Sequence, residues 1–356
     1  MGGQVWQEPF QGLYGAVVPI QRPGLERFST DPSVRPPIHF LTGLTPVEHG
    51  HGTSTFQMPA TGWLDIGTGT FGGSALLLAA DAPLTSAIIT GLPPGRIATT
   101  SELSMSFLRA PQRRSGMFTA RATTIHASRR VGASAVQITD ARGRLVAHST
   151  TRCLIVEVPG VLDIDPDEPA AAGTRGPATG TPPFQREPTG RVLTPDEFDT
   201  LSGRAMMNGY IDGTIEPPPI AHILGGGLTA VDGDAVGWTF PTTEWLCSPA
   251  PFLYGGAIAA MTDIALNSAY TLAMEAGQIC APMDLKVQFL RPVYPNTGEL
   301  TGRAEIVHAG RNMIVARGEL QDATGKLVAL ATGSALRVLG GVRRLLEDDP
   351  DTLLAD

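Results

Sequence analysis

The stretch YGGAIAAMTDIALNSAYTLAMEAG, residues 254–277, decides the fold. It is apolar along most of its length and lacks proline, so it predicts one long helix that stops at Gly277. Strand-like stretches follow it, rich in β-branched residues and separated by turn signals. They are MDLKVQFLRPV (283–293), GELTGRAEIVHAG (298–310), NMIVARGELQDA (312–323) and KLVALATGSALRVL (326–339). Short turns predict an antiparallel sheet, against which the helix must bury its apolar face.

An internal repeat doubles this unit. SMSFLRAP (104–111) aligns with KVQFLRPV (286–293), which sets Arg109 against Arg291 at an offset of 291 − 109 = 182 positions. Without a gap, the same offset aligns further identical residues: Trp63 with Trp245, Gly73 with Gly255, Asp81 with Asp263, His126 with His308 and Arg129 with Arg311. The chain is therefore a tandem duplication of one module of roughly 120 residues. In each copy we expect a helical turn, a strand, a loop, one long helix and then three or four strands.

The two copies are separated by a stretch that is rich in proline, glycine and alanine. Such a composition cannot bury a core and predicts an extended linker. We therefore predict five segments: an N-terminal arm at 1–37, a first domain at 38–158, the linker at 159–200, a second domain at 201–340 and an acidic tail at 341–356.

Composition limits the partners and the compartment. The net charge of −8 and the pI near 5.4 argue against a surface for nucleic acid or anionic membrane. The three cysteines are scattered through the chain, which indicates reduced thiols in the cytoplasm. The N-terminus lacks the pattern of a secretory signal, and we expect no apolar run of about 18 residues. The sequence predicts a soluble cytoplasmic protein.

Motifs for bound cofactors are weak. The pattern G-x-G-x-x-G at 67–72 is absent from the second copy, and no acidic residue follows at the spacing that ribose binding needs. We interpret it as a loop that leads into a helix. Neither the repeated histidines nor HGH (49–51) has metal-ligand spacing. We expect no metal and no redox cofactor.

The second copy carries a family resemblance. The run GGAIAAMTDIAL, followed by MDLKVQFLRPV and by the strands from 298 to 336, resembles the hotdog-fold acyl-CoA thioesterases of the phenylacetate-type (PaaI-like) group. The first copy resembles them more faintly. The resemblance implies an α+β fold of two tandem hotdog domains, each an antiparallel sheet wrapped around one long helix, paired as a dimer within one chain. It also implies an acyl-CoA substrate and, by analogy with other hotdog pairs, further association into a homo-oligomer.

The resemblance also suggests catalytic residues. The family's carboxylate matches Asp81 and Asp263 by position, as a general base or a nucleophile. Backbone N–H groups at the helix starts would polarise the thioester carbonyl, from Gly255 and Gly256 in one copy and from Gly73 and Ser74 in the other.

Helix geometry suggests how these groups combine. Asp263 lies seven residues after Gly256 on nearly the same helix face, but roughly 10 Å further along the axis. One helix therefore cannot easily supply both groups. We infer composite sites in which Gly255 or Gly256 faces Asp81 and Gly73 faces Asp263.

Other residues complete the candidate sites. Some family members place a hydroxyl where Thr100 stands, whereas the second copy has Pro282, so one copy alone can use it. If Thr100 supports the site of Asp263, one site would be strong and the other degenerate. Pro83 should kink or end the first helix close to Asp81. Two residues near the start of the second helix are candidates for binding the substrate: Ser248 and Tyr254, the latter in place of the family's usual histidine before Gly-Gly. Four arginines could bind the phosphates of CoA: Arg109, Arg129, Arg291 and Arg311.

Two alternatives stay open. One is a hotdog hydratase or dehydratase of enoyl thioesters, which would need an Asp/His dyad and could use His39 or His222. The other is a non-catalytic protein that binds or senses acyl-CoA, suggested by the missing histidine before Gly-Gly and by Pro83.

Overall fold

The structure is a computed structural model that describes residues 36–93, 96–157, 181–248, 252–338 and 341–342. The predicted arm, except for its last two residues, most of the acidic tail and the first half of the predicted linker lie outside the described residues. The first copy contains α1 (Pro37–Thr42), β1 (Thr45–Gly50), β2 (Thr53–Pro59), α2 (Gly73–Thr90), β3 (Arg96–Phe107), β4 (Met117–Ala127), β5 (Val131–Thr139) and β6 (Leu145–Glu157).

The second copy repeats this order. Two short helices precede it, α3 (Pro195–Thr200) and α4 (Gly203–Asp212). Its own elements are α5 (Pro219–Leu224), β7 (Gly227–Asp232), β8 (Ala235–Pro241), α6 (Gly255–Leu272), β9 (Ile279–Phe289), β10 (Glu299–Ala309), β11 (Met313–Gln321) and β12 (Leu327–Val338). The helices α2 and α6 begin and end 182 positions apart, as the repeat predicts. Each copy opens with a two-strand hairpin rather than the single strand that we expected.

All twelve strands form one antiparallel sheet. Its order is β1-β2-β4-β5-β6-β3-β9-β12-β11-β10-β8-β7, so the two copies join edge to edge through β3 and β9. Inward residues alternate with outward ones along each strand, as in β5, where Val136 and Ile138 are buried. The fold is therefore a double hotdog in which one continuous sheet wraps two helices.

The two long helices pack against each other in the middle of the molecule. The start of α6 meets Asp81 near the centre of α2, and the start of α2 meets Asp263 near the centre of α6. The helices therefore run in opposite directions about a pseudo-twofold axis. One apolar core, which includes Leu77 and Met261, extends across both copies.

Each copy also sends a short helix to the other. The Ile38 N–H donates to the Cys247 carbonyl at 3.2 Å, and the Ile220 N–H donates to the Asp65 carbonyl at 3.1 Å. These two bonds are related by the 182-residue offset. The exchange ties α1 to the second copy and α5 to the first, which adds to the contact between the long helices.

The helix α2 continues to Thr90, so Pro83 does not end it. By length and mean composition α2 could cross a membrane, although polar residues such as Asp81 interrupt its apolar sequence. In the fold 83% of it is buried, and a helix that is apolar on most sides is suited to a core.

The helix α6 ends earlier than predicted. It stops at Leu272, and Gly277 instead forms a turn with φ of 76°. Residues from the preceding segment hold this turn: the Gly203 N–H donates to the Met274 carbonyl and the Gly277 N–H donates to the Phe198 carbonyl. These tertiary bonds compete with continuation of the helix.

The second half of the predicted linker is packed rather than extended. Residues 181–200 lie against both copies. On the first copy, Trp63 Nε1 donates to the Arg186 carbonyl at 3.0 Å and the Leu193 N–H donates to the Gly67 carbonyl at 3.0 Å. On the second, the Gly277 N–H donates to the Phe198 carbonyl. Leu193 and Phe198 are buried. These apolar side chains stabilise a segment whose composition alone predicts an extended chain.

Candidate active site

The Asp81 carboxylate lies where the two copies meet. It projects from the middle of α2 toward the start of α6, and its Oδ2 accepts a hydrogen bond from the Gly256 N–H at 3.0 Å. Its Oδ1 accepts one from the Thr100 hydroxyl at 2.7 Å. A Cβ on Gly255 would lie only 2.7 Å from Asp81 Oδ2, so this position must be small for the carboxylate to approach. We refer to Asp81, Thr100, Gly255 and Gly256 as the Asp81 site.

Burial sets the protonation of this site. Only 4% of Asp81 is exposed, and desolvation raises the pKa of its carboxyl while the Thr100 and Gly256 hydrogen bonds lower it. The nearby Cys153 thiol has a pKa raised to about 12, by burial first and by the charge of Asp81 second. That thiol stays protonated at neutral pH and is a poor nucleophile. The carboxylate is therefore the group of this site that can act as a base.

Asp263 occupies the pseudo-equivalent place. Its Oδ2 accepts hydrogen bonds from the Ser74 N–H at 2.7 Å and from the Ser74 hydroxyl at 2.6 Å. A Cβ on Gly73 would lie 2.6 Å from Asp263 Oδ1. Desolvation raises the pKa of Asp263 to about 6, although the Ser74 bonds lower it. Asp263, Gly73 and Ser74 form the Asp263 site.

The pairing of each aspartate with the opposite copy is therefore as inferred, but the position of Thr100 is not. Thr100 bonds Asp81 of its own copy, so the expectation that it supports the site of Asp263 is wrong. The strand β3 packs against its own helix α2, which places Thr100 beside that helix. Pro282, its counterpart in β9, has no hydroxyl. Asp263 instead binds the hydroxyl of Ser74, which stands where the second copy has Gly256. The sequence did not indicate a role for this hydroxyl.

Tyr254 does not extend toward a substrate. It is 4% exposed, and its hydroxyl accepts a hydrogen bond from the Ala82 N–H at 2.7 Å and donates to the Leu78 carbonyl at 3.0 Å. Both partners belong to α2 of the other copy. The Tyr254 hydroxyl is therefore used inside the protein, and a contact of this residue with substrate stays a prediction.

The arginine candidates divide into two pairs. Arg109 donates to the Leu145 carbonyl at 2.6 Å, and Arg291 donates to the Leu327 carbonyl at 3.1 Å, so each ties a loop to the start of a strand. Arg129 and Arg311 are exposed between adjacent strands. A contact of any of these with CoA phosphates stays a prediction.

Ser248 and the candidate histidines lie away from the carboxylate hydrogen bonds. The Ser248 hydroxyl donates to the Phe252 carbonyl at 3.4 Å, in the loop before α6. His39 packs edge-on against the Phe56 ring, and burial lowers the pKa of His222 in α5. Hydroxyl and backbone N–H groups hold both aspartates. Within the described ranges, no group of three or more potential metal ligands occurs.

Family models match both copies of the repeat. Residues 250–329 match the family model described as the thioesterase superfamily, and residues 32–155 match the one described as the acyl-CoA thioesterase C-terminal domain. The two regions together make up more than half of the chain, one in each copy. No curated protein sequence matches the chain.

Solved structures show the same architecture. An acyl-CoA thioesterase II from Mycobacterium marinum is 13% identical, with a TM-score of 0.50, over 85% of this chain and 97% of its own. A conserved protein of unknown function with the hot dog fold, from Alicyclobacillus acidocaldarius, is 14% identical, with a TM-score of 0.51, over 86% of this chain and 99% of its own. A phenylacetic acid degradation-related protein from Ralstonia eutropha JMP134 is 32% identical, with a TM-score of 0.35, over 36% of this chain and 98% of its own. The first two likenesses establish the fold.

Proposed function

Because the chain belongs to the thioesterase superfamily and carries two hotdog domains in tandem, we propose that it hydrolyses an acyl-CoA thioester to a free acid and CoA at the Asp81 site. The observation that carries this proposal is the hydrogen bonding of one buried carboxylate by both copies. Gly256 from the second copy and Thr100 from the first bind the two oxygens of Asp81.

The start of α6 supplies the group that polarises the carbonyl. The Gly256 N–H is already bonded to Asp81, whereas the Gly255 N–H has no acceptor among the described residues. Unpaired N–H groups in the first turn of a helix, assisted by the helix dipole, stabilise negative charge. Gly255 would therefore donate to the thioester oxygen as that oxygen becomes an oxyanion.

Asp81 then acts on water. Its carboxylate removes a proton from a water molecule, and the oxygen of that water bonds to the carbonyl carbon. The tetrahedral intermediate collapses, the carbon–sulfur bond breaks, and the departing thiolate takes up the proton that Asp81 holds, which gives CoA and restores the carboxylate. The Thr100 hydroxyl lies against Asp81 Oδ1 and would orient the water as well as the carboxylate. Direct attack by Asp81 to form an anhydride is the second mechanism consistent with this arrangement.

The Asp263 site is less suited to the reaction. Both Ser74 donors bind the same oxygen of Asp263, and no threonine faces the site from β9, because Pro282 stands there. We therefore assign turnover to the Asp81 site and no catalytic role to Asp263. A hydratase would need a histidine beside the carboxylate, whereas the groups bonded to Asp81 are a threonine and a backbone N–H.

The test is the release of free thiol from a panel of short, long and aromatic acyl-CoAs. The wild-type protein, Asp81→Asn and Asp263→Asn are compared on the same panel, and acyl-CoA binding is measured by calorimetry. Thiol release that is lost in Asp81→Asn, with binding retained, would support the proposal. If the wild-type protein binds acyl-CoA but releases no thiol, the proposal is overturned and a non-catalytic protein that senses acyl-CoA is favoured.

A further inference from the structure

The Tyr254 side chain enters the opposite helix beside Asp81. Its hydroxyl bridges the Leu78 carbonyl and the Ala82 N–H, at 3.0 Å and 2.7 Å. In a regular α-helix these two groups, four residues apart, would bond to each other. A side chain that inserts into this ladder opens the helix locally. The opening spans the residues on either side of Asp81.

A proline lies at the same point. Pro83 has no N–H to donate to the Ala79 carbonyl, so the next position of the ladder also lacks its usual bond. Two consecutive bonds of α2 are thus replaced or missing around Asp81. The ring of Tyr254 also lies close to Gly256, where an added Cβ would meet it at 2.5 Å. The tyrosine therefore contacts both the helix that carries Asp81 and the residue that binds Asp81.

The second copy has neither feature. At the offset of 182, Gly72 corresponds to Tyr254 and Ala265 corresponds to Pro83. At the start of α2, the Ser74 hydroxyl does reach the Ala260 carbonyl, the counterpart of Leu78, at 3.4 Å, but among the described residues it accepts no bond from the Ile264 N–H, the counterpart of Ala82. The opened helix is specific to the Asp81 site.

We propose that Tyr254 is a positioning residue that, together with Pro83, opens α2 and directs the Asp81 carboxylate toward Gly256 and Thr100. This proposal rests on the assigned thioesterase reaction for its kinetic consequence. Its structural consequence is independent of activity. It explains why a buried tyrosine occupies the position before Gly255-Gly256: the hydroxyl holds the helix of the other copy rather than the substrate.

The test deletes one oxygen atom. In Tyr254→Phe, the Ala82 N–H and the Leu78 carbonyl can bond directly, so α2 closes and Asp81 shifts. Because small misplacements of a catalytic group can cost about 100-fold in rate, we expect kcat to fall about 10- to 100-fold with KM nearly unchanged. The matched control is Tyr270→Phe, which removes the hydroxyl of a buried tyrosine in α6 and should leave kcat within about twofold of the wild type.

Amide hydrogen exchange supplies a readout besides activity. Exchange at the Gly256 N–H should accelerate in Tyr254→Phe, as its bond to Asp81 weakens, and stay at the wild-type rate in Tyr270→Phe. Should Tyr254→Phe fail to fold, Pro83→Ala tests the same opening, because it restores an N–H to the ladder and should also lower kcat. An unchanged kcat in the folded Tyr254→Phe protein, or equal losses in both tyrosine variants, would overturn the proposal. Altered Gly256 exchange in a protein that hydrolyses no acyl-CoA would instead overturn only the proposed function.

Discussion

Ser104 and Lys286, which are 182 positions apart in the sequence, lie directly opposite each other in β3 and β9. On either side of this pair, Glu102 faces Gln288 and Ser106 faces Asp284. These two pairs are equivalent, because Glu102 corresponds to Asp284 and Ser106 to Gln288 at the same offset. A pseudo-twofold axis therefore passes between Ser104 and Lys286. Each position that one copy presents to this axis has a counterpart position in the other, and both copies carry aspartate at one such position, which is why the molecule has two aspartate sites.

The first prediction separates these two sites. Asp81→Asn removes the proposed base, and because general-base catalysis contributes about 100- to 10,000-fold, kcat should fall by at least about 100-fold. Asp263→Asn should retain kcat within a few-fold. Both variants keep the volume of the side chain and an oxygen that can accept the bond from Gly256 or Ser74. The measurement is the steady-state release of thiol from the best acyl-CoA of the panel.

A reversed result would contradict the assignment. If Asp263→Asn abolished thiol release while Asp81→Asn did not, the turnover site would be the one without a threonine. Thermal unfolding of both variants serves as the control, because a loss of activity counts only in a folded protein.

The second prediction concerns Thr100. Its hydroxyl bond lowers the pKa of Asp81, so removing the hydroxyl should raise that pKa further. Since the base must be ionised to accept a proton, the acid limb of the profile of kcat/KM against pH should move to higher pH in Thr100→Val. Thr100→Ser keeps the hydroxyl and should retain the wild-type limb. An identical acid limb in all three proteins would show that Thr100 does not act on the base.

The architecture could be predicted well from the sequence, because duplication repeats both the pattern and its spacing. The first long helix, Gly73–Thr90, and the second, Gly255–Leu272, begin and end at positions that differ by the same 182 residues. The pairing of each aspartate with the opposite copy also followed from the sequence, because the rise of a helix keeps Asp263 away from Gly256 of the same helix.

The details of the site depend on contacts between elements, which a linear pattern does not show. Whether Thr100 faces Asp81 or Asp263 depends on which helix β3 packs against. The absence of the usual histidine indicated that Tyr254 was unusual, but its bonds to Leu78 and Ala82 lie more than 170 positions away in the chain. The bounds of the five predicted segments stay predictions, apart from the packed residues 181–200.

The third prediction is a pH-dependent stability. Burial raises the pKa of Asp263 from its ordinary value of 3.8 to about 6. The folded state therefore binds a proton more tightly than the unfolded state, and stability is lost as pH rises from about 4 through about 6. Above this window the wild-type protein retains a buried charge, which lowers its free energy of unfolding by roughly 3 kcal/mol.

Asp263→Asn carries no charge and should escape this cost. Its free energy of unfolding in urea should exceed that of the wild type by roughly 3 kcal/mol at pH 8, and the difference should shrink toward pH 4.5. Asp81 is present in both proteins, so the difference isolates Asp263. A constant difference between pH 4.5 and pH 8 would show that the charge of Asp263 is not the cause.

The fourth prediction tests the close contact that ends α6. A Cβ on Gly203 would lie 1.6 Å from the Thr271 backbone oxygen, and no side-chain rotation can relieve a clash with backbone. Gly203→Ala should therefore lower the free energy of unfolding by about 3 kcal/mol or more, because α4 must move away from α6 and the Gly203 bond to Met274 is lost. Gly227→Ala is the matched control, since a Cβ there meets nothing within 4 Å and its cost should stay near 0.5 kcal/mol or less. Equal stabilities of the two variants, measured by urea unfolding, would show that α4 does not pack on the end of α6.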